Sequence, residues 1–222
     1  DIERIKTDDH LLNAYLEHNK FDIEKAVAFL HTSLEWRKSF NVKELSASSF
    51  PQSLHESNVI FFYSRDKTGH KILHLQSVKM KKDSAYSDMV KRFLVWQIEQ
   101  EFRANMGKRI VVLLDMCGAG LANVDINFIK FLISCFAANY PYMLEYLLIV
   151  DLPWILSAVW QLVKKWLTAE QQKFVLVVKQ HELPKYIDKE SLFIHLGGTV
   201  GFVFLCSTSL KVIDLITNRI LK

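Results

Sequence analysis

Two histidines are the residues of this chain whose type and spacing come closest to a metal-binding pattern. His70 and His74 are four residues apart within a predicted strand, a spacing that places them on one strand face. A zinc site takes about three or four protein ligands, and no third ligand stands at a matching spacing. The sequence therefore predicts no metal site.

The glycine-rich turn at Gly118-Ala119-Gly120 follows a predicted strand and invites comparison with dinucleotide-binding turns. The third glycine position of that pattern holds Asn123. About 20 residues further on, where an acid would bind the ribose, the chain reads Asn139-Tyr140-Pro141. An ordinary turn between a strand and a helix fits better, and we expect no nucleotide or other cofactor.

Asp115 and Asp151 each end a predicted buried strand, where open α/β sheets tend to contact ligands. A hydrolase that uses two carboxylates would need both beside one substrate, and the sequence does not fix that distance. We favour capping of the strand ends. The chain also contains no G-x-S-x-G elbow, P-loop or H-E-x-x-H motif, so a non-enzymatic protein is expected.

Composition and charge narrow the remaining classes of function. The chain has 222 residues, half of them hydrophobic, which suffices for a sizeable core. A net charge of +4 is too small to indicate a nucleic-acid partner, but it fits weak attraction to anionic membranes. Three cysteines without a C-x-x-C pair predict reduced thiols in a cytoplasmic protein. The charged first ten residues are not a signal peptide, and the lack of an initiator Met suggests missing flanking regions.

The elements that carry these residues alternate between strands and helices. Two helices come first. One has the acidic residues Asp8 and Asp9 at its start, and the other has Asp22 as its candidate N-cap; a loop at 46–51 follows them. This order predicts an α/β fold with a small N-terminal helical unit and an open mixed or parallel sheet with flanking helices. The last three strands are continuous apolar runs, so we expect them to be buried on both faces. Predicted strands cover 59–63, 71–76, 109–115, 146–150 and 174–178, and predicted helices of the sheet domain cover 87–106, 124–138 and 154–167.

The segment 154–167 is a helix with an unusual distribution of tryptophans. Trp154 and Trp166 share one broad apolar face, whereas Trp160, about 240° around the helix from Trp154, lies outside it. Lys164 and Lys165 lie close to its C-terminal end. Burial between protein elements would explain a helix that is apolar on two sides. So would a lid with an apolar cavity inside and a membrane interface outside, where Trp and Lys are favoured.

The tail from residue 200 onward is apolar but interrupted. Lys211 and Asp214 divide the stretch 200–216, which falls short of the ~18 uncharged residues of a membrane span. A tail anchor is therefore not the favoured interpretation.

A series of motifs resembles the CRAL-TRIO (Sec14-like) lipid-binding family, almost to Thr199. Segments 19–26 and 34–38 look like the helical domain that precedes the lipid-binding fold in that family. The next motifs, in chain order, are Arg65-Asp66-Lys67-Thr68-Gly69, Asp115-x-x-Gly118, Tyr140-Pro141, Asp151-Leu152-Pro153-Trp154, Lys164-x-Trp166-Leu167 and Gly197-Gly198-Thr199. The fourth and fifth of these motifs, Asp-x-Pro-Trp and Lys-x-Trp-Leu, look closest to the branch of motile-sperm-domain-containing proteins.

The resemblance implies an apolar pocket closed by a mobile helix, here 154–167. It divides the chain into a helical unit (1–45), a lipid-binding domain (46–199) and a divergent tail (200–222). The implied function is non-enzymatic binding and transfer of a phospholipid or other lipid between membranes. A membrane-tethering or lipid-sensing module with a vestigial pocket is the alternative. The implied setting is a cytoplasmic monomer, peripheral to membranes such as the endoplasmic reticulum, with no nucleic-acid partner.

Site residues follow from the implied pocket. We expect ligand contacts from Phe93, Trp96, Val112, Leu114, Phe128, Leu132, Phe136, Leu148, Val150, Ile155, Val159, Val163 and Lys173. We expect membrane contacts from Trp154, Trp160, Lys164, Lys165 and Trp166. Phosphatidylinositol-handling relatives carry a Glu directly after Tyr-Pro and a Lys before the strand that follows the lid. Lys173 matches the second position but Tyr142 stands at the first, so the head group stays open.

Overall fold

A computed structural model of the protein describes residues 2–105 and 107–201. It has an α/β architecture with a five-stranded sheet in the order β1-β2-β3-β4-β5. The strands are β1 (Ile60–Arg65), β2 (Lys71–Gln76), β3 (Ile110–Asp115), β4 (Leu144–Val150) and β5 (Val175–Val178). The helices are α1 (Ile2–Thr7), α2 (Asp9–His18), α3 (Ile23–Ser39), α4 (Gln52–Glu56), α5 (Ser84–Ala104), α6 (Ile126–Ser134), α7 (Ser157–Lys164) and α8 (Ala169–Lys173).

The sheet is mixed, which confirms the fold class predicted from the sequence. β1 and β2 form an antiparallel hairpin, and β2, β3, β4 and β5 run parallel to one another. The hairpin turn is held by Asp66, whose carboxylate accepts hydrogen bonds from the backbone nitrogens of Thr68 and His70. Parallel neighbours require crossover connections, and the helices between them supply these.

Aspartates cap α2 and α3, and Asp22 is the N-cap that the sequence predicts. The Asp8 carboxylate accepts from the Leu11 nitrogen at the start of α2, and Asp22 accepts from the Lys25 nitrogen at the start of α3. Such caps satisfy backbone donors that have no partner within the helix.

A buried ion pair joins α3 to α5. The Arg37 guanidinium contacts the Glu99 carboxylate at 2.5 Å, and the Tyr140 hydroxyl donates to the same carboxylate at 3.0 Å. Desolvation opposes the charge of Glu99, but the cations Arg37 and Arg103 outweigh it and hold the carboxyl pKa below its ordinary value. The helical front of the chain therefore packs directly against the sheet domain.

Side-chain alternation divides the core between the two faces of the sheet. Leu73 and Val112 pack with α5 on one face, whereas Val111 and Leu113 pack on the other. That second face is covered by the C-terminal segment, including Leu183 and other apolar residues. A strand with apolar residues at every position is buried on both faces, as β3 is.

The prediction that the last strand is buried on both faces is wrong. β5 lies at the edge of the sheet, and Phe174 and Val177 are 44% and 46% exposed. An edge strand has a neighbour on one side only, so an apolar run does not ensure burial.

The C-terminal segment folds back on itself through a close backbone approach. A Cβ on Gly198 would lie 2.1 Å from the Leu192 carbonyl oxygen, so only glycine fits there. The His195 imidazole contacts the Asp115 carboxylate at 2.9 Å, in line with a capping role for this aspartate. The tail anchor considered for 200–216 lies, from residue 202 onward, outside the described residues, as does the thiol of Cys206.

Candidate functional site

An elongated apolar cavity of about 290 Å³ lies between the sheet, α6 and the segment 154–167. This size is close to the lower end of ligand sites, which measure ~300–1,000 Å³. The sheet contributes the side chains that face away from the C-terminal segment. These are Leu75 on β2, Leu114 on β3, Leu144, Leu147 and Ile149 on β4, and Val175 on β5.

The cavity follows the direction of the parallel strands. Arg109 lines it just before β3 begins, and Met116 lines it just after β3 ends. Seven residues at ~3.3 Å each correspond to about 23 Å along the strand. The cavity is therefore a long slot, a shape that suits an extended apolar chain better than a compact molecule.

The α6 wall is a helix whose apolar residues recur every three to four positions. Asp125 caps it by accepting from the nitrogens of Asn127 and Phe128. The helix then changes to π-helical geometry over Cys135–Asn139. Single π turns often occur at functional sites, and this one carries Phe136 and Ala137 at the cavity lining. The wall also includes Phe128, Ile129, Leu132 and Ile133.

The opposite wall is the segment 154–167, which we call the gate segment. It consists of a short 3₁₀ turn, Trp154–Leu156, followed by α7 and a further turn. Its inner face contacts the cavity through Leu156, Val159, Trp160, Val163 and Leu167. Because these positions recur at three- and four-residue intervals, they form one helical stripe.

The outer face of the gate segment is apolar and exposed to solvent. Trp154 is 85% exposed, and Ile155 and Leu162 are each nearly half exposed. Lys165 is exposed beside them. Apolar side chains on both faces of one helix are what the sequence predicted, but the assignment of individual tryptophans differs, since Trp160 lines the cavity.

Two cation–π contacts involve the gate tryptophans. Lys164 Nζ lies 5.3 Å from the centroid of the Trp160 ring, within the gate segment itself. Lys130 Nζ on α6 lies 4.9 Å from the centroid of the Trp166 ring. The second contact joins the two walls of the cavity.

Polar side chains gather at the end of the cavity that lies before β3 and β4. Arg109, Tyr142, His18 and Gln171 all line it there. The Arg109 guanidinium stacks on the Tyr142 ring at 3.7 Å from its centroid and donates to Glu145 Oε2 at 2.8 Å. Burial lowers the pKa of His18, and a backbone hydrogen bond with Ala137 partly opposes this shift.

Six of the residues expected to contact a ligand lie at the cavity lining. They are Leu114, Phe128, Leu132, Phe136, Val159 and Val163. They come from the sheet, α6 and the gate segment, so the structure brings three distant parts of the sequence together. Their contact with a ligand stays a prediction.

The other seven residues do not line the cavity. Phe93 on α5 and Val112 on β3 are fully enclosed in the core between that helix and the sheet. Trp96 packs on Phe93 with ring centroids 5.4 Å apart. Ile155 is on the outer face of the gate segment, and Lys173 is an exposed partner of Glu170 at 3.0 Å. The remaining two are Leu148 and Val150, which lie on the opposite face of the sheet.

An irregularity in β4 explains the placement of Leu148 and Val150. The register between β3 and β4 shifts after the pair Ile110–Leu144, so Leu114 is paired with Ile149. Residues paired across strands share a face, and one inserted residue exchanges the two faces. Leu147 and Ile149 therefore face the cavity in place of the predicted pair.

Sequence reasoning missed Arg109 and His18 at the polar end. Arg109 directly precedes a buried strand and His18 ends a helix of the N-terminal unit. No local pattern associates them, because 91 positions of chain separate them. No sequence signal was available for Leu147 and Ile149, because the continuous apolar run of β4 does not reveal its bulge.

No group of three or more His, Cys, Asp or Glu residues in 2–105 and 107–201 is arranged to hold a metal ion. Among the helices that the structure describes, none has the length and apolarity needed to cross a bilayer.

The family model described as CRAL/TRIO domain matches residues 55–198, well over half of the chain. The chain belongs to the CRAL-TRIO family. Proteins of this family are generally lipid-binding transfer proteins rather than enzymes.

Curated relatives of this CRAL-TRIO chain are similar over most of its length. A CRAL-TRIO domain-containing protein of Schizosaccharomyces pombe is 26% identical over 203 residues, which cover 86% of this chain and 45% of the relative. The phosphatidylinositol transfer protein CSR1 of Eremothecium gossypii is 26% identical over 210 residues, covering 88% of this chain and 48% of that protein. The chain thus spans about half the length of these relatives.

Two further comparisons concern domain context and fold. The human tyrosine-protein phosphatase non-receptor type 9 is 22% identical over 190 residues, and the match covers 84% of this chain but only 32% of the phosphatase. The crystal structure of Sfh5 superposes with a TM-score of 0.72 at 17% identity, covering 99% of this chain and 85% of that one. This likeness shows that the two chains share a fold.

Proposed function

We propose that this CRAL-TRIO domain carries a lipid in the cavity and exchanges it at a membrane when the gate segment moves. The observation that carries the proposal is a long apolar slot lined by Leu114, Phe128 and Val163 directly beneath an amphiphilic helix. The relative named as a phosphatidylinositol transfer protein supports transfer as the activity.

Apolar burial supplies the affinity in this account. A buried methylene contributes ~0.8 kcal/mol, so a chain segment of about eight methylenes would contribute about 6 kcal/mol. The side chains that line the middle of the slot, among them Leu75 and Val175, are almost all apolar. They leave few polar groups that would lose hydration when an acyl chain binds. A single acyl chain is therefore the minimum cargo that we expect.

The gate segment is the element expected to open. It is a short 3₁₀ turn and a two-turn helix, with Leu156 and Val163 as its buried anchors. Part of its inner face lines the cavity, and part packs against a small apolar cluster that includes Met116 and Ile149. Opening it would therefore break this one cluster and leave the main core beneath α5 intact. Elements of low local stability are the ones that move in binding.

The outer face of the gate segment supports membrane contact. Trp154, Ile155 and Leu162 present apolar surface to solvent, and Lys165 adds a cation beside them. Tryptophan and lysine are both favoured at membrane interfaces. Trp160, Lys164 and Trp166 were also proposed to touch the membrane. Since Trp160 lines the cavity, it would do so only when the gate segment opens.

A second function is favoured by the same exposed face. A tethering or lipid-sensing module would use Trp154 and Leu162 to bind membranes, and the cavity would be vestigial. Such a protein would bind vesicles without exchanging lipid. The open slot argues for the carrier, because a vestigial pocket is expected to be filled by side chains.

The setting of this activity follows from weaker features. We infer a monomer that acts at the cytoplasmic surface of membranes such as the endoplasmic reticulum, in agreement with the free thiols Cys117 and Cys135. We also propose that the chain is related to the branch of motile-sperm-domain-containing proteins, because its gate motifs resemble theirs. The division into 1–45, 46–199 and 200–222 is likewise a proposal.

Transfer of a fluorescent phospholipid between donor and acceptor vesicles tests the function. Val159→Trp places a large ring in the cavity, whereas Gln161→Trp adds the same ring on an exposed position of the same helix. We expect the wild type and Gln161→Trp to accelerate transfer and Val159→Trp to lose most of that acceleration. Vesicle binding by the wild type without transfer would favour the sensing module instead.

A further inference from the structure

The hydrogen-bonding side chains of the cavity are distributed unequally between its two ends. At the end that follows β3, Ser77 donates to the Met116 sulfur, and Asn123 donates to the Val78 and Met80 carbonyls. Asp125 is engaged in capping α6. These groups line the cavity, but the protein itself uses them.

Gln76 is the remaining polar residue at that end, and its side chain belongs to the other face of the sheet. It is paired in register with Asp115, and paired residues share a face. The Asp115 carboxylate contacts His195 on the face that the C-terminal segment covers. The end of the slot beyond β3 therefore offers a ligand little hydrogen bonding.

The opposite end retains unused donors. Among the described residues, the Arg109 guanidinium donates through Nη1 to Glu145 and lies over the Tyr142 ring. A guanidinium has five N–H donors, so most of them remain for an incoming acceptor. Gln171, which lines the cavity, uses its Oε1 to accept from the Thr168 nitrogen, so its amide N–H donors remain for a ligand.

The position of the Arg109 side chain is fixed before a ligand arrives. Its stacking on Tyr142 at 3.7 Å and its hydrogen bond to Glu145 at 2.8 Å hold the guanidinium at the polar end of the cavity. Glu145 also lies 3.9 Å from His70 Nε2, so its carboxylate faces two basic groups. A donor that is already oriented loses less entropy when it binds an anion.

We infer that the cargo enters with its apolar chain toward Met116 and that Arg109 binds an anionic oxygen group at its head, assisted by Tyr142 and Gln171. This inference rests on the proposed lipid-carrier function and adds the orientation and chemical class of the cargo. A phosphodiester head group and a fatty-acid carboxylate share the required chemistry. A guanidinium contacts either one through paired N–H donors.

Three probes with the same oleoyl chain separate the possibilities. Oleic acid carries a carboxylate, oleoyl lysophosphatidylglycerol carries a phosphodiester, and monooleoylglycerol carries an uncharged head. Affinity is measured by displacement of an uncharged apolar naphthylamine dye from the delipidated protein. The wild type is expected to bind at least one of the two anions about tenfold more tightly than monooleoylglycerol. The tighter anion identifies the head group.

Arg109→Gln and Lys108→Gln form a matched pair of variants. Both remove one cation at neighbouring positions, but only Arg109 lines the cavity. Arg109→Gln should abolish the preference for the anion and leave the affinity for monooleoylglycerol unchanged, whereas Lys108→Gln should behave as the wild type. Tyr142→Leu removes the ring on which the Arg109 guanidinium stacks and should reduce the preference about twofold to fivefold, which provides a test should Arg109→Gln fold poorly.

The outcomes against the inference are distinct from failure of the carrier function. Equal affinity of the wild type for all three probes would overturn the inference while the carrier function stands. An equal loss of anion affinity in Lys108→Gln and Arg109→Gln would do the same, because it would indicate general surface charge. If none of the three probes displaces the dye, the carrier function itself is overturned.

Discussion

Lys130 Nζ on α6 lies 4.9 Å from the centroid of the Trp166 ring at the end of the gate segment. Phe128 and Val163, which belong to the same two elements, line opposite sides of the cavity. The contact therefore joins the two walls at one edge of the slot. It is a natural restraint on opening, since the walls cannot separate there while it persists.

Lys130→Gln should accelerate lipid exchange. A cation–π contact at an exposed site contributes ~0.5–1 kcal/mol, so its loss should raise the open fraction of the gate segment roughly twofold to fivefold. The measurement is the rate of phospholipid transfer between vesicles. Lys185→Gln removes an exposed lysine that pairs with Glu182 and should leave the rate unchanged. A Lys130→Gln rate equal to that of the wild type would exclude this contact as a restraint.

The outer stripe of the gate segment makes a separate prediction about membrane affinity. Trp154→Ser combined with Leu162→Ser should weaken binding to vesicles at least tenfold, because burying one large apolar side chain contributes ~1.5–3 kcal/mol. Co-sedimentation with vesicles of phosphatidylcholine and phosphatidylserine measures the change. Ile194→Ser, an exposed aliphatic in the C-terminal segment, is the control and should bind normally. If the double variant binds as tightly as this control, membrane contact occurs elsewhere.

The buried imidazole of His74 predicts a loss of stability in acid. The ring is 2% exposed, stacks on Phe61 and has no hydrogen-bond partner at Nε2. Burial lowers its pKa from 6.5 to about 4, and Asp115 and His195 are the charged groups that face it. The unfolded chain therefore binds a proton that the folded chain excludes between these two values. This contribution to stability is complete above pH 6.5 and is lost as the pH falls toward 4.

Urea unfolding at pH 7 and pH 5 measures this effect. The free energy of unfolding should fall by about 2 kcal/mol from this group alone between the two pH values. His74→Met should reduce the pH dependence by that amount, whereas His31→Gln, at an exposed position, should retain it. An unchanged pH dependence in His74→Met would show that this imidazole is not responsible.

The fold could be predicted because its signals are local. Asp22 caps α3 at the expected position, and the apolar run of β3 has the two-sided burial that it predicts. The edge position of β5 could not be predicted in this way. Its apolar composition is that of a buried strand, and only the order of the sheet shows which strand has a single neighbour.

The site was harder to predict than the fold, because it depends on registers and relative positions. The bulge in β4 exchanges Leu148 for Leu147 at the cavity, and a continuous apolar run carries no sign of it. The 3₁₀ turn at Trp154–Leu156 changes the angular position of the residues before α7, so Ile155 faces solvent. Arg109 and His18 line the same cavity only in the folded chain, which is why no sequence pattern connects them.

Native mass spectrometry of the purified protein tests the central claim most directly, because it measures the mass of the protein together with any bound lipid. The wild type should retain a lipid-sized adduct that dissociates on denaturation and is identified by extraction, and Gln161→Trp should retain it too. Val159→Trp, which fills the cavity, should lose most of it while its melting temperature stays within a few degrees of that of the wild type. A wild-type protein that neither carries an adduct nor acquires one from phospholipid vesicles would contradict the account.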